Sequence, residues 1–290
     1  MNVINQHSGA NFTAYHGDCV EVISSLPDKS MDYSIFSPPF SSLYTYSNSP
    51  RDMGNCRNDD EFFHHFAFLV KELARVMKSG RNVSFHCMLL PTSKERDGYI
   101  GLKDFRGDLI RAFQKEGFIY ASEVCIWKDP VTSMQRTKAL GLLHKPVRTN
   151  AAMSRQGTPD YLVTMRAPGE PKVEDKVTHD VSQYPVNKWQ KVASPVWMDI
   201  DPSDTLQFRS AREHDDERHI CPLQLEVIRR GIDLWTNPGD VVLSPFMGIG
   251  SEGYVALQMG RKFIGTELKK SYFEQAARNL DQATAQDGLF

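Results

Sequence analysis

The sequence predicts an α/β fold, a mostly parallel sheet with helices on both faces. Three observations predict it. Two stretches, 12–128 and 221–280, read as alternating strand and helix signals, the pattern that βαβ units produce. The apolar runs in them have strand length and stop at turn residues, as Met31–Phe36 stops at Pro38-Pro39. With 290 residues, 40% of them apolar and 24% charged, the chain can bury a sizeable core and has no bias toward disorder.

The elements follow in order. Phe12–His16 is a short strand candidate, and Cys19–Leu26 has helical spacing. Met31–Phe36 is the next strand. A strong helix is expected over Asp60–Lys78, started by Asp59 and Asp60 and ended by Ser79-Gly80. Its apolar stripe is Phe62, Phe66, Leu69, Leu73 and Val76. Val83–Leu90 reads as a strand, Phe105–Glu116 as a helix ending at Gly117, and Phe118–Trp127 as a strand. The second stretch opens with a helix over Pro222–Trp235, with proline in its first turn. Strand Val241–Leu243, helix Ser251–Met259, strand Arg261–Thr266 and helix Lys270–Leu280 follow.

Between them, at about 129–220, the alternation breaks, apart from one strand-like run, Tyr161–Met165. Residues 128–166 carry Lys128, Arg136, Lys138, Lys145, Arg148, Arg155 and Arg166 against Asp129 and Asp160, whereas 170–216 is acidic. The organisation expected is therefore 1–128, an inserted 129–220, and 221–290. The formal net charge of −2 does not announce a nucleic-acid binder, so any such surface must come from local patches. Cys19, Cys56, Cys87, Cys125 and Cys221 are scattered. An odd, spread set reads as reduced thiols in a cytoplasmic protein and argues against a metal site. No run approaches membrane-spanning length and the first residues do not form a secretory signal.

The sharpest cofactor signal is Ser244-Pro245-Phe246-Met247-Gly248-Ile249-Gly250-Ser251 after the strand at 241. Glycines there let the backbone pass close to a ligand, and the following helix N-terminus offers free N–H groups to a carboxylate. Glu267 ends the next strand about twenty residues on, where a carboxylate can accept from ribose hydroxyls. A plain strand–turn–helix with a solvated Glu is the other reading. Gly253 follows Gly250 at the dinucleotide interval, but Phe246 occupies the first glycine position, which favours a nucleoside without a pyrophosphate.

Ser37-Pro38-Pro39-Phe40 follows an apolar strand and so falls at its carboxyl end, where open α/β folds place ligands. Two prolines fix φ and remove two N–H donors, leaving rigid carbonyl acceptors. An exocyclic amine is a weak nucleophile because its lone pair is delocalised into the ring. Acceptors at Ser37 Oγ and the Pro38 carbonyl would draw its hydrogens out of plane and localise that lone pair toward a methyl donor. Phe40 offers a ring for an extruded base to stack on. Taken alone, the tetrapeptide also reads as an ordinary loop with a core Phe.

These motifs, in this order, resemble the beta class of amino-methylating DNA methyltransferases, found in restriction-modification systems and phages. In that class a Ser/Asp/Asn-Pro-Pro-Tyr/Phe motif precedes the cofactor loop, with the target-recognition region between them. The stretch His16-Gly17-Asp18-Cys19 through Ser37-Pro38-Pro39-Phe40 resembles its first half, and Cys221-Pro222-Leu223 through Glu267-Leu268 its second. The resemblance implies a Rossmann-like, S-adenosylmethionine-dependent methyltransferase fold, with the catalytic half ahead of the cofactor loop. By position, Ser37, Pro38, Pro39 and Phe40 would be catalytic and base-binding. Ser244, Pro245, Phe246, Gly248 and Gly250 would wrap the methionine part of S-adenosyl-L-methionine, and Glu267 would hold its ribose. Asp18 would contact the amine of its adenine, with Asp18 equally readable as a helix N-cap, and Cys19 would be a further cofactor-binding residue. Pro222 would close over the methionine end. One departure stands out: the loop of the class begins Asp-Pro-Phe, and here Ser244 replaces the Asp. That substitution implies either a nearby acid in its place or a weaker hold on the cofactor's ammonium group.

Serine at 37 tilts the target toward N4 of cytosine over N6 of adenine, since adenine enzymes of the class more often carry Asp there. The target must leave double-stranded DNA to reach Ser37. The middle region is the expected reader, with Arg136, Lys138, Lys145, Arg148 and Arg155 on phosphates or guanine edges, or else a solvated face. Tyr44 and Tyr46 sit in a polar loop as candidate stackers. The resemblance also leaves room for a homodimer and for a cognate restriction nuclease, in the cytoplasm of a prokaryotic or phage-infected cell. The rival readings are an S-adenosylmethionine-dependent RNA or protein methyltransferase, a catalytically weak DNA-binding module on the same scaffold, and a nicotinamide dehydrogenase.

Overall fold

The computed structural model describes residues 3–40, 52–131, 148–153, 156–182, 184–207, 211 and 222–287. The strands are β1 (Asn5–Ser8), β2 (Phe12–His16), β3 (Met31–Phe36), β4 (Met77–Met88), β5 (Leu90–Pro91), β6 (Leu102–Lys103), β7 (Ile119–Ile126), β8 (Asp160–Arg166), β9 (Val196–Trp197), β10 (Val241–Ser244) and β11 (Lys262–Glu267). The helices are α1 (Cys19–Ser24), α2 (Asp59–Val76), α3 (Lys94–Asp97), α4 (Phe105–Lys115), α5 (Val186–Val192), α6 (Leu225–Trp235), α7 (Ser251–Gln258) and α8 (Lys270–Asp287).

One sheet runs β1-β2-β11-β10-β3-β4-β8-β7-β9, and β5 and β6 pair separately. The five strands from β2 to β4 are mutually parallel, while β1, β8 and β7 join antiparallel to their inner neighbours. Every residue of β3 is buried, as a central strand covered on both faces requires. Alternation along the strands splits the core in two. Phe36 and Leu243 pack with α1, α2 and α4, whereas Ile35 and Val242 pack with α6, α7 and α8. The chain leaves β10 for β11 on one side and β3 for β4 on the other. The crevice between the carboxyl ends of β10 and β3 is therefore the topological switch point, where such sheets bind ligands.

The expected elements are present, with shifted ends. The helix expected over Asp60–Lys78 closes at Val76, and β4 starts at once with Met77 in an extended conformation. Ser79-Gly80 does not stop a helix. It lies inside β4, beside a register shift against β3, with Gly80 at φ +70°, so the glycine serves a bulge. Asn58 caps α2 by accepting from Glu61 N–H at 2.9 Å, ahead of an acidic first turn that suits the helix dipole. The helix expected from Pro222 begins at Leu225, because Gln224 just before it is still extended.

Of the segment 129–220, the Tyr161–Met165 run becomes β8, which pairs with β4 and β7 in the main sheet, and β9 extends its edge. Below the site, buried Arg81 ties β4 to β3 and to the turn before β10, through the Asp32 carbonyl and the Asp240 carboxylate.

Candidate active site

All five parallel strands end on the same edge of the sheet, and the sequence puts its polar signals at those ends. A cavity of about 170 Å³ opens there, more than ten times the roughly 10–15 Å³ that one water needs. It is lined by Asp18 and Cys19, by Ser37, Pro38, Pro39 and Phe40, by Pro222, by Pro245, Phe246 and Gly248, and by Glu267. The Ser37–Phe40 motif and the glycine loop, distant in sequence, thus share one cavity, because β3 and β10 are paired neighbours. A hydrogen bond from Ser34 Oγ to the Leu243 carbonyl, at 2.9 Å, joins the two strands just beneath it.

The cofactor side is built by the turn after β10. Gly248 and Gly250 have φ of +53° and +86°, which side-chain-bearing residues seldom adopt. A Cβ on Gly248 would meet nothing within 4 Å, whereas one on Gly250 would press on Ala276 of α8 at 3.2 Å. Gly248 leaves room for a ligand and Gly250 lets two helices approach. Glu267 is held at the end of β11 by two backbone donors: Gly248 N–H to Oε2 at 3.0 Å and Lys269 N–H to Oε1 at 2.8 Å. Burial still pushes its carboxyl up to about 7. Asp18 caps α1, its Oδ1 accepting from Val20 and Glu21 N–H at 2.9 and 3.0 Å, and it lines the cavity as well. The Cys19 thiol is raised by burial and by the neighbouring Asp18 charge. It therefore stays protonated, a lining group and not a nucleophile. Ser244, in contrast, is fully buried beneath the lining residues.

The Ser37 side holds groups that no local sequence pattern announces. Pro38 is buried and Ser37 half-buried. Ser37 Oγ lies 3.2 Å from His86 Nδ1, and His86 Nε2 lies 2.9 Å from Asp160 Oδ2. Lys128 Nζ pairs with the same carboxylate. Burial alone would raise Asp160, but the charge and hydrogen bonds of His86 and Lys128 outweigh it and hold the carboxyl below its ordinary value. An ionised carboxylate only accepts, so His86 Nε2 carries the proton and donates. With Nε2 so engaged, Nδ1 is the nitrogen beside the Ser37 hydroxyl, and it accepts from that hydroxyl whenever it carries no proton itself. Three elements place this relay: His86 near the exit of β4, Asp160 at the entry of antiparallel β8, and Lys128 just past β7. Lys128 and Asp160 appear in the sequence only as members of a charge count, and His86 only as part of a strand. The clue was the strand-like run that follows Asp160, whose pairing partner the sequence does not reveal.

Phe246 packs against Phe36 with ring centroids 5.8 Å apart, and Phe40 meets Phe105 edge-on at 6.4 Å. Asp52, Met53, Glu252, Lys269 and Tyr272 also line the cavity, and no motif in the sequence marks them. Of the basic residues expected to face DNA, Arg148 is exposed. Arg136, Lys138, Lys145 and Arg155 lie outside the described residues, as do Tyr44, Tyr46 and Cys221.

Asp18, Asp52, Glu252 and Glu267 line the cavity against one lysine, Lys269. Among the described residues the lining thus offers a pyrophosphate no cationic partner beyond that lysine, and it suits a cationic ligand, which would draw the buried glutamates into their charged form. Fold and site together define a doubly wound α/β protein with a nucleoside-sized switch-point cavity and a proline-braced polar loop facing it. The sequence matches the model of the N6/N4 DNA methylase family over residues 31–278, and the chain belongs to that family. It is 26% identical over 277 residues to the DNA adenine methyltransferase YhdJ of Escherichia coli strain K12, covering 94% of this chain and 83% of that protein. The fold matches the cytosine-N4-specific PvuII DNA methyltransferase with a TM-score of 0.69 at 17% identity, over 98% of this chain and 94% of that one. It matches TTHA0409 of Thermus thermophilus, solved with S-adenosyl-L-methionine, with a TM-score of 0.68 at 20% identity, over 94% of each chain.

Proposed function

We propose that this chain transfers a methyl group from S-adenosyl-L-methionine to the N4 amine of a cytosine flipped out of double-stranded DNA. The observation that carries the reading is the shared cavity: Ser37-Pro38-Pro39-Phe40 and the Gly248 and Glu267 that would cradle a nucleoside line it together. The acidic lining fits the cofactor's positive charge, and Glu267 fits its ribose. When bound, the cofactor supplies an electrophilic methyl carbon on a cationic sulfur, which departs with the C–S electron pair.

Ser37 Oγ and the Pro38 carbonyl accept from the two amine hydrogens and hold the nitrogen lone pair toward the cofactor. As the nitrogen gains its methyl group, one of its hydrogens becomes acidic. That proton passes to Ser37 Oγ while the Ser37 hydroxyl proton moves to His86 Nδ1, and Asp160 stabilises the imidazolium. A serine cannot take up that proton unaided, so the His86–Asp160 pair supports serine in this position and, with it, the cytosine reading. A complete relay also speaks against the weak-module reading, whose support was Ser244. The segment 129–220, less its strands β8 and β9, is proposed to read the DNA sequence, with Arg148 on its exposed surface.

Transfer of a tritiated methyl group to DNA, RNA and protein in parallel tests this, with the labelled DNA digested to nucleosides. N4-methylcytosine is the expected product. N6-methyladenine would overturn the choice of base, and label confined to RNA or protein would overturn the DNA reading.

A further inference from the structure

The cofactor loop lacks the acid that the resemblance places at position 244. Ser244 is fully buried, its Oγ has no hydrogen-bond partner among the described residues, and it does not line the cavity. A carboxylate does reach it eight residues on. Glu252 lies in the first turn of α7, is only 4% exposed and lines the cavity. Burying a carboxylate is costly unless something pairs with it. No other side chain is joined to Glu252 by a hydrogen bond or ion pair among the described residues.

The other acids of the lining have hydrogen-bond duties. Glu267 is held by Gly248 and Lys269 N–H, Asp18 caps α1, and Asp52 accepts from Gly54 N–H at 2.8 Å. The Lys269 ammonium lies 4.5 Å over the Tyr272 ring.

We infer that Glu252 supplies the carboxylate that binds the ammonium group of the cofactor's methionine end, replacing the acid missing at 244. The inference rests on S-adenosylmethionine being the cofactor. The chemistry of a zwitterion suits the place. The first turn of α7 presents backbone N–H groups that suit a methionine carboxylate, and Glu252 in that same turn lines the cavity where the adjacent ammonium would lie. Burial pushes Glu252 up to about 8, its own backbone N–H opposing and the Glu267 charge adding. A cation within hydrogen-bond reach favours the ionised form again, so ligand and carboxylate stabilise each other.

The test measures binding without catalysis. S-adenosylhomocysteine carries the ammonium group but no sulfonium, and 5′-methylthioadenosine lacks both. Their affinities are to be measured by calorimetry for the wild type and for Glu252→Gln. The expected result is at least tenfold weaker binding of S-adenosylhomocysteine to the variant, methylthioadenosine binding within twofold, and an undiminished Tm for the free variant. An unchanged S-adenosylhomocysteine affinity overturns the assignment while leaving the cofactor intact. An equal loss for both ligands also overturns it, because the pocket and not the ammonium contact would then be at fault. If neither ligand binds the wild type, the cofactor reading itself fails. On the unaltered chain, S-adenosylhomocysteine must also outbind its deaminated analogue at least tenfold, a comparison that needs no variant to fold.

Discussion

Ser37 works through its neighbours. A hydroxyl half-buried beside an imidazole can pass a proton on only if that imidazole is braced, and His86 is braced by an ionised Asp160. Replacing His86 with Gln keeps the volume and a polar contact but removes the base. General acid–base groups are worth about 10²–10⁴-fold, so His86→Gln should lower kcat by about 10²-fold in single-turnover methylation of DNA. Its affinity for S-adenosylhomocysteine should stay within twofold. Equal losses in both would move His86 from catalysis to the cofactor pocket. Glu267→Ala should do the reverse, weakening S-adenosylhomocysteine roughly 10-fold or more by calorimetry, since hydrogen bonds to charged groups are worth about 1.5–3 kcal/mol. Ser37 and Glu267 were legible because each ends a recognisable strand. His86 and Asp160 were not, because their partners lie 49 and 74 residues away across strand pairings that no local pattern announces.

Among the elements, the turn between β10 and α7 separates two uses of glycine that the sequence shows as one motif. Gly250→Ala would add a Cβ against Ala276 at an unfavourable φ. It should cost about 1–3 kcal/mol of folding free energy, read as a lowered denaturant midpoint. Gly248→Ala should cost about 1–2 kcal/mol from its φ alone. Its methyl group points into open space on the cavity wall, so its larger effect should be on S-adenosylhomocysteine affinity. If both variants lose affinity alike at matched stability, the division is wrong. The glycines were readable as a cofactor turn because strand, turn and helix follow each other without interruption. The end of α2 was misread for the opposite reason: a helix stop signal, Ser79-Gly80, sits inside a strand as a bulge, and only pairing with β3 reveals it. β8 was visible as an apolar run, but its place in the main sheet depends on antiparallel partners from both sides.

At the scale of the molecule, the cavity makes stability depend on pH and on the cofactor. Glu252 and Glu267 are raised to about 8 and about 7, chiefly by burial, whereas in the unfolded chain both ionise near the ordinary carboxylate value of about 4.3. Between those limits the folded state binds more protons than the unfolded one. Stability must therefore fall as pH climbs toward the two raised values, and level off above them. The lowered carboxyls of Asp160, Asp199 and Glu226 act in the opposite sense, but only in acid. The raised thiols of Cys19 and Cys87 add to the fall only in the alkaline range where ordinary thiols ionise. A window from about pH 6 to about pH 8 therefore contains the fall from the two glutamates, and comparing the wild type with a Glu252 variant separates it from the histidines that titrate in the same range. In it the Tm of the free protein should drop by about 2 °C or more, at roughly 2–4 °C per kcal/mol for a chain approaching this size. Glu252→Gln should flatten that slope, because its amide has no proton to lose. Saturating S-adenosylhomocysteine should flatten it too in the wild type, where the ligand's ammonium favours the charged form of Glu252. Scanning calorimetry of all three samples across the window checks this, and a slope shared equally by wild type, variant and complex would show that these carboxylates do not carry the pH dependence.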